Sequence, residues 1–113
     1  MDSKAARKDA IRKFKEQKPL LGTFAVRCTA TGQVWVGASR NLAATKNGAW
    51  FSLRHGSHLD RGLQHQWNTY GENEFQYEIL ERLDEDLPSL EIPDLLKEKR
   101  RYWIAQLNAR PLL

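Results

Sequence analysis

Two short runs of β-branched and aromatic residues on either side of a glycine-containing turn constrain this chain more than any other feature. Residues 22–28 (Gly-Thr-Phe-Ala-Val-Arg-Cys) and 33–37 (Gln-Val-Trp-Val-Gly) flank Thr29-Ala30-Thr31-Gly32, which reads as an antiparallel hairpin. Ser39 is placed to cap a short helix running to about Lys46, where Asn47-Gly48 stops it. Ser57 is placed to cap the next helix, in which Leu59, Leu63 and Trp67 recur at helical spacing. Tyr70-Gly71 closes that helix, and residues 75–81 read as a third strand with Phe75, Tyr77 and Ile79 on one face. After an acidic loop containing Pro88, Pro93-Asp94 opens a final helix over roughly residues 94–108. The order β-β-α-α-β-α predicts an α+β fold, with a small three-stranded antiparallel sheet flanked by helices.

Residues 3–17 add a helix in front of that body, with Ser3 as its N-cap. Lys4, Lys8, Arg12 and Lys15 lie on one face, and Ala6, Ala10, Ile11 and Phe14 form a thin apolar stripe. Lys18-Pro19 ends it. The chain therefore divides into a basic arm over 1–18 and a single domain over 19–113. The formal net charge of +4 sits wholly on the arm, because the other 95 residues carry 11 basic and 11 acidic groups. A basic arm fits polyanion binding, and it equally fits a solvated helix. Ten carboxylates between residues 72 and 98, against only Arg82 and Lys97, make one surface acidic. No apolar run approaches the roughly 18 residues of a membrane span. A single cysteine, Cys28, excludes an internal disulfide and fits the reducing cytoplasm.

The motifs carry a resemblance. Gly22-Thr23-Phe24 followed by Val34-Trp35-Val36-Gly37 resembles the paired signatures of the GIY-YIG nucleases. The similarity continues through Ser39-Arg40-Asn41-Leu42, Leu53-Arg54-His55-Gly56-Ser57-His58 and Trp67-Asn68-Thr69-Tyr70-Gly71. It reaches Phe75–Glu81 and ends at Tyr102-Trp103-Ile104 near Leu107-Asn108. It covers about residues 22–108, and the pattern is most similar to homing-endonuclease catalytic domains and short stand-alone bacterial members.

The resemblance implies phosphodiester hydrolysis by a tyrosine that activates the nucleophile, a helix arginine and a glutamate that holds a divalent metal. Developing charge on a phosphate requires such groups. Position by position, the expected groups are replaced. The first tyrosine falls on Phe24, which has no hydroxyl. The second falls on Trp35, which donates a hydrogen bond but is no base. The arginine falls on Thr45, a neighbouring histidine on Ala49, and the metal-binding glutamate on Arg100. His58 matches a later histidine of the family. A cation at the metal position repels the metal by about 4 kcal/mol per unit charge at 4 Å and moderate dielectric.

The former active-site cleft thus comprises Phe24, Trp35, Arg40, Thr45, His58 and Arg100, with no catalytic set intact, no metal site and no cofactor. Phe24 and Trp35 also fit plain core packing. Arg100 lies among Leu96, Trp103 and Leu107, so it either pairs with a carboxylate or presents to an anion. The expected function is that of a catalytically degenerate member which binds nucleic acid, DNA more than RNA, or another phosphate-bearing ligand, with Lys4, Lys8, Arg12 and Lys15 as contacts. One rival is a magnesium-dependent endonuclease in which His58, Arg40 or Arg54 replaces the missing groups. The other is a protein-interaction module using Asp84, Glu85 and Asp86.

Overall fold

The computed structural model describes residues 20–84 and 86–112. The helix expected over residues 3–17, with its basic face, lies outside the described residues, as does Glu85. The elements are β1 (Gly22–Cys28), β2 (Val34–Ser39), α1 (Leu42–Arg54), α2 (Arg61–Tyr70), one 3-10 turn (Glu72–Glu74), β3 (Phe75–Arg82), α3 (Ile92–Leu107) and β4 (Arg110–Pro111).

The expected hairpin is present, with β1 antiparallel to β2 in a register that sets Phe24 opposite Gly37 and Val26 opposite Trp35. β3 pairs antiparallel with the other edge of β1. The expected three-stranded antiparallel sheet is corrected to a four-stranded mixed one, ordered β3-β1-β2-β4. Arg110 and Pro111 run parallel to Trp35 and Val36. The open edge of β2 recruits them: the Leu112 amide donates to the Val36 carbonyl at 2.8 Å, and the Leu112 side chain is buried.

Gly22 and Gly37 bracket the hairpin for steric reasons. A Cβ on Gly22 would lie 1.9 Å from the Glu81 carbonyl oxygen, and one on Gly37 would lie 2.6 Å from the Phe24 ring. Strand pairing excludes a side chain at the first position, and ring packing excludes one at the second.

Side-chain alternation divides the sheet into two faces. Phe24, Val26, Cys28 and Trp35 pack with Leu42 and Leu53 of α1 and Leu63 and Trp67 of α2. Ala25, Val34 and Val36 pack with Trp103, Ile104 and Leu107 of α3 on the opposite face. Of the apolar face expected on β3, Phe75 and Tyr77 join the first core, whereas Ile79 is 38% exposed. The β1–β3 register shifts between Thr23 and Phe24, which leaves Leu80 as an extra residue. The bulge directs Leu80 and Glu81 to the same face. Leu80 joins the α3 cluster, and Glu81 accepts from Trp103 Nε1 at 3.0 Å and pairs with Lys99 at 3.0 Å.

Four helix boundaries differ from expectation. α1 is 13 residues long and runs through Asn47-Gly48. Its cap is Asn41, whose side chain accepts from the Ala44 amide at 3.1 Å, while Ser39 Oγ accepts from the Asn41 amide. Leu42, Ala49 and Leu53 bury one face of α1, and that burial outweighs the weak helix propensity of Asn and Gly. α2 begins at Asp60 instead of Ser57, with Asp60 Oδ1 accepting from the Leu63 amide at 3.1 Å. Leu59 is left before the helix and is 80% exposed. α2 ends as expected at Gly71, whose φ of 89° suits glycine. α3 starts at Ile92, with Pro93 in its first turn, and ends at Asn108 in the left-handed region.

Candidate functional site

Thr45, Gly48, Ala49 and Ser52 recur at i, i+3, i+4 and i+7 along α1, so they share one helix face. That face meets Phe24 of β1, the α1–α2 connection at Ser57, His58 and Leu59, and Leu112 beyond β4. Together they line an open cavity of about 230 Å³. Small residues on the helix keep the space open.

The back of the cavity is rigid. The Phe24 ring stacks on Tyr77 at 5.2 Å and 21° and presses on Gly37 from the sheet side. Tyr77 puts a phenol near the ring that lacks one, but its hydroxyl donates to the Leu42 carbonyl at 2.8 Å, and burial pushes its pKa up to about 12. It offers no base near neutral pH. The Thr45 hydroxyl is hydrogen-bonded to the Ser39 hydroxyl, which ties the start of α1 to the end of β2.

Gln64, 5% exposed, holds the opposite wall. Its Nε2 donates to the Leu53 carbonyl at 3.0 Å and to Asn68 Oδ1 at 2.9 Å, and its Oε1 accepts from the His58 amide at 3.1 Å. His58 is thereby buried against the cavity. Its Nδ1 accepts from the Asp60 amide at 3.0 Å, so the neutral ring carries its proton on Nε2. Burial holds the His58 pKa below its ordinary value, against the opposing pull of Asp60. His58 is consequently a neutral N–H donor.

Among the residues expected in the cleft, Phe24, Thr45 and His58 line one cavity, as does Ala49. The others are placed elsewhere. Trp35 is 1% exposed inside the core, and Arg40 is exposed on the loop before α1. Arg100 is half-buried on α3 and is not among the cavity-lining residues; it makes no salt bridge among the described residues. Arg54 lines a separate groove with Lys46, Asn47, Trp50 and Phe51, where Glu72 grips it through two bonds of 2.7 and 2.8 Å. Asp84 and Asp86 are exposed on the loop before α3.

Sequence reading alone did not single out Ser52, Gln64, Tyr77 or Leu112 as parts of this region. Ser52 was detectable only once α1 continued past Gly48. Gln64 had a weak signal, a polar group beside Leu63 on the inward side of an amphipathic helix. Leu112 had none, because a two-residue strand leaves no periodicity to read.

The divalent metal that the resemblance implies does not fit this cavity. The lining includes no carboxylate, and His58 is its only member with a metal-binding side chain of the usual kind. No group of three His, Cys, Asp or Glu among the described residues could hold a metal ion.

The fold is α+β and similar to that of the GIY-YIG nucleases. Its structural similarity is to the catalytic domain of the homing endonuclease I-TevI, at a TM-score of 0.69 and 25% identity over 82% of this chain and 98% of that one. A mutant of the catalytic domain of intron endonuclease I-TevI is similar at a TM-score of 0.66 and 27% identity, covering 79% of this chain and 84% of that one. No protein-family model and no curated protein matches the sequence. No helix among the described residues is long and apolar enough to cross a membrane.

Proposed function

We propose that this chain binds nucleic acid, DNA more than RNA, or another phosphate-bearing ligand at the former active-site cleft of a GIY-YIG domain, without cleaving it. One observation carries the reading. Phe24, Thr45, Ala49 and His58 stand around a single cavity, and they offer one imidazole N–H but no phenol, guanidinium or carboxylate. Loss of one preorganised group that stabilises transition-state charge costs roughly 10²–10³ in rate. Loss of base, cation and metal ligand together leaves a binding fold without the means to cut. The names of its structural neighbours, an intron endonuclease and a homing endonuclease, support nucleic acid as the ligand class. The buried free thiol of Cys28 fits a protein acting in the reducing cytoplasm.

The test combines cleavage with binding. Plasmid and single-stranded DNA incubated with the protein and magnesium or manganese are expected to stay intact, while fluorescence anisotropy reports salt-dependent binding. Metal-dependent nicking that His58→Ala abolishes would establish the endonuclease instead.

A further inference from the structure

The cavity shared by Phe24, Thr45 and His58 is electrically neutral. No lysine or arginine lines it. Lys46 and Arg54 lie on the same helix but line the separate groove, and Arg54 is already paired with Glu72. Burial disfavours the charged form of His58, so the ring adds no cation near neutral pH. A phosphate drawn into such a space would lose its hydration with no opposite charge to offset the loss.

The cavity does provide apolar walls and a neutral polar edge. Phe24, Ala49, Leu59 and Leu112 form the walls, and Thr45, Ser52, Ser57 and His58 form the edge. His58 offers a donor at Nε2, because Nδ1 is occupied by the Asp60 amide. The Ser52 hydroxyl can both donate and accept, whereas the Ser57 hydroxyl already donates to the Ser52 carbonyl at 3.4 Å and is left to accept. The volume of about 230 Å³ lies below the roughly 300–1,000 Å³ of pockets that enclose drug-sized ligands, a scale that suits one planar heterocycle.

We propose that the cavity takes a neutral nucleobase, unpaired or extruded from a strand, with its polar edge toward His58, Ser52 and Ser57 and its phosphates outside. The proposal deepens the nucleic-acid reading and rests on it. Single-stranded substrate suits it best, because no duplex pairing has to be broken before the base enters. The base is the part of a nucleic acid that hydrogen bonds and apolar contact can hold without counter-charge.

Gly48 supplies a blocking variant. A Cβ there would meet nothing within 4 Å, so Gly48→Leu adds a side chain at a cavity-lining position with room at its first carbon. The experiment follows the His58 ring nitrogen resonances of the full chain during titration with nucleosides and, separately, inorganic phosphate. A single-stranded oligonucleotide is then compared with an abasic strand of the same length.

Nucleosides are expected to shift the His58 signal saturably, while phosphate at equal concentration leaves it unchanged. The base-bearing strand is expected to bind at least about tenfold more tightly than the abasic one. Gly48→Leu should remove that difference without lowering the melting midpoint. Equal binding of the two strands, or a His58 shift with phosphate and none with nucleosides, overturns the base site while the nucleic-acid reading stands. Absence of binding by either strand overturns both.

Discussion

With Nδ1 of His58 held by the Asp60 amide, the ring proton sits on Nε2, the donor nitrogen of a cavity-lining histidine. A general base at Nε2 would require the other tautomer, which forfeits the backbone bond. The same burial makes His58 a determinant of acid sensitivity. Its folded pKa lies below the ordinary 6.5, so the unfolded chain takes up the proton first as pH falls. Stability is full above about pH 6.5 and is lost as pH drops through the folded value. Between about pH 7.5 and pH 5 the melting midpoint should therefore fall. His58→Gln should flatten that decline, because glutamine does not titrate and its carbonyl oxygen can accept from the Asp60 amide. An equally steep decline in the variant, followed by circular dichroism, would assign the acid sensitivity to other groups.

At the scale of elements, α1 is the informative case. Asn47-Gly48 reads locally as a helix stop, yet the helix continues because Asn41 caps it and Leu42, Ala49 and Leu53 bury one stripe. Gly48 therefore bears a helix-interior cost that no close packing contact requires. Gly48→Ala is expected to stabilise the domain by about 0.5–1 kcal/mol, through the reduced conformational entropy of the unfolded chain. Urea unfolding would show it as a raised midpoint at unchanged slope. A lowered midpoint would mean that α1 is not continuous there in solution. The β3 bulge at Leu80 works in the opposite direction, breaking local alternation so that Glu81 can meet Lys99 and Trp103 on α3.

Over the whole molecule, the net charge and the cavity belong to different parts of the sequence. The cavity is neutral, whereas the net +4 of the chain is carried by residues 1–18. Any long-range attraction to a polyanion should therefore arise from the arm, and any selectivity from the domain. If Lys4, Lys8, Arg12 and Lys15 contact about four phosphates, log affinity for duplex DNA should fall against log salt with a slope near −3 to −4. Replacing the four by glutamine should flatten the slope and weaken all sequences alike. Anisotropy titrations over a range of salt concentrations would measure it. An unchanged slope would show that the arm takes no part in DNA binding.

Local chemistry determined much of this protein directly from its sequence. β-branched and aromatic runs around a tight turn defined the hairpin, and Gly71 marked the end of α2. The glycines of the two signatures, with the ordered motifs behind them, carried the resemblance to the GIY-YIG nucleases. Those features depend on neighbours close along the chain, or on steric rules that hold wherever the residue sits. The tertiary structure alone decided the rest. Burial of one stripe carried α1 through Asn47-Gly48, and an open β2 edge turned Arg110 and Pro111 into a strand. Alternation along the strands set α3 and Arg100 across the sheet from the core that holds Phe24. The resemblance brought Phe24, Trp35, Arg40, Thr45, His58 and Arg100 into one expected cleft. Packing kept only Phe24, Thr45 and His58 at one cavity, because a side chain's place in space follows from contacts distant in sequence.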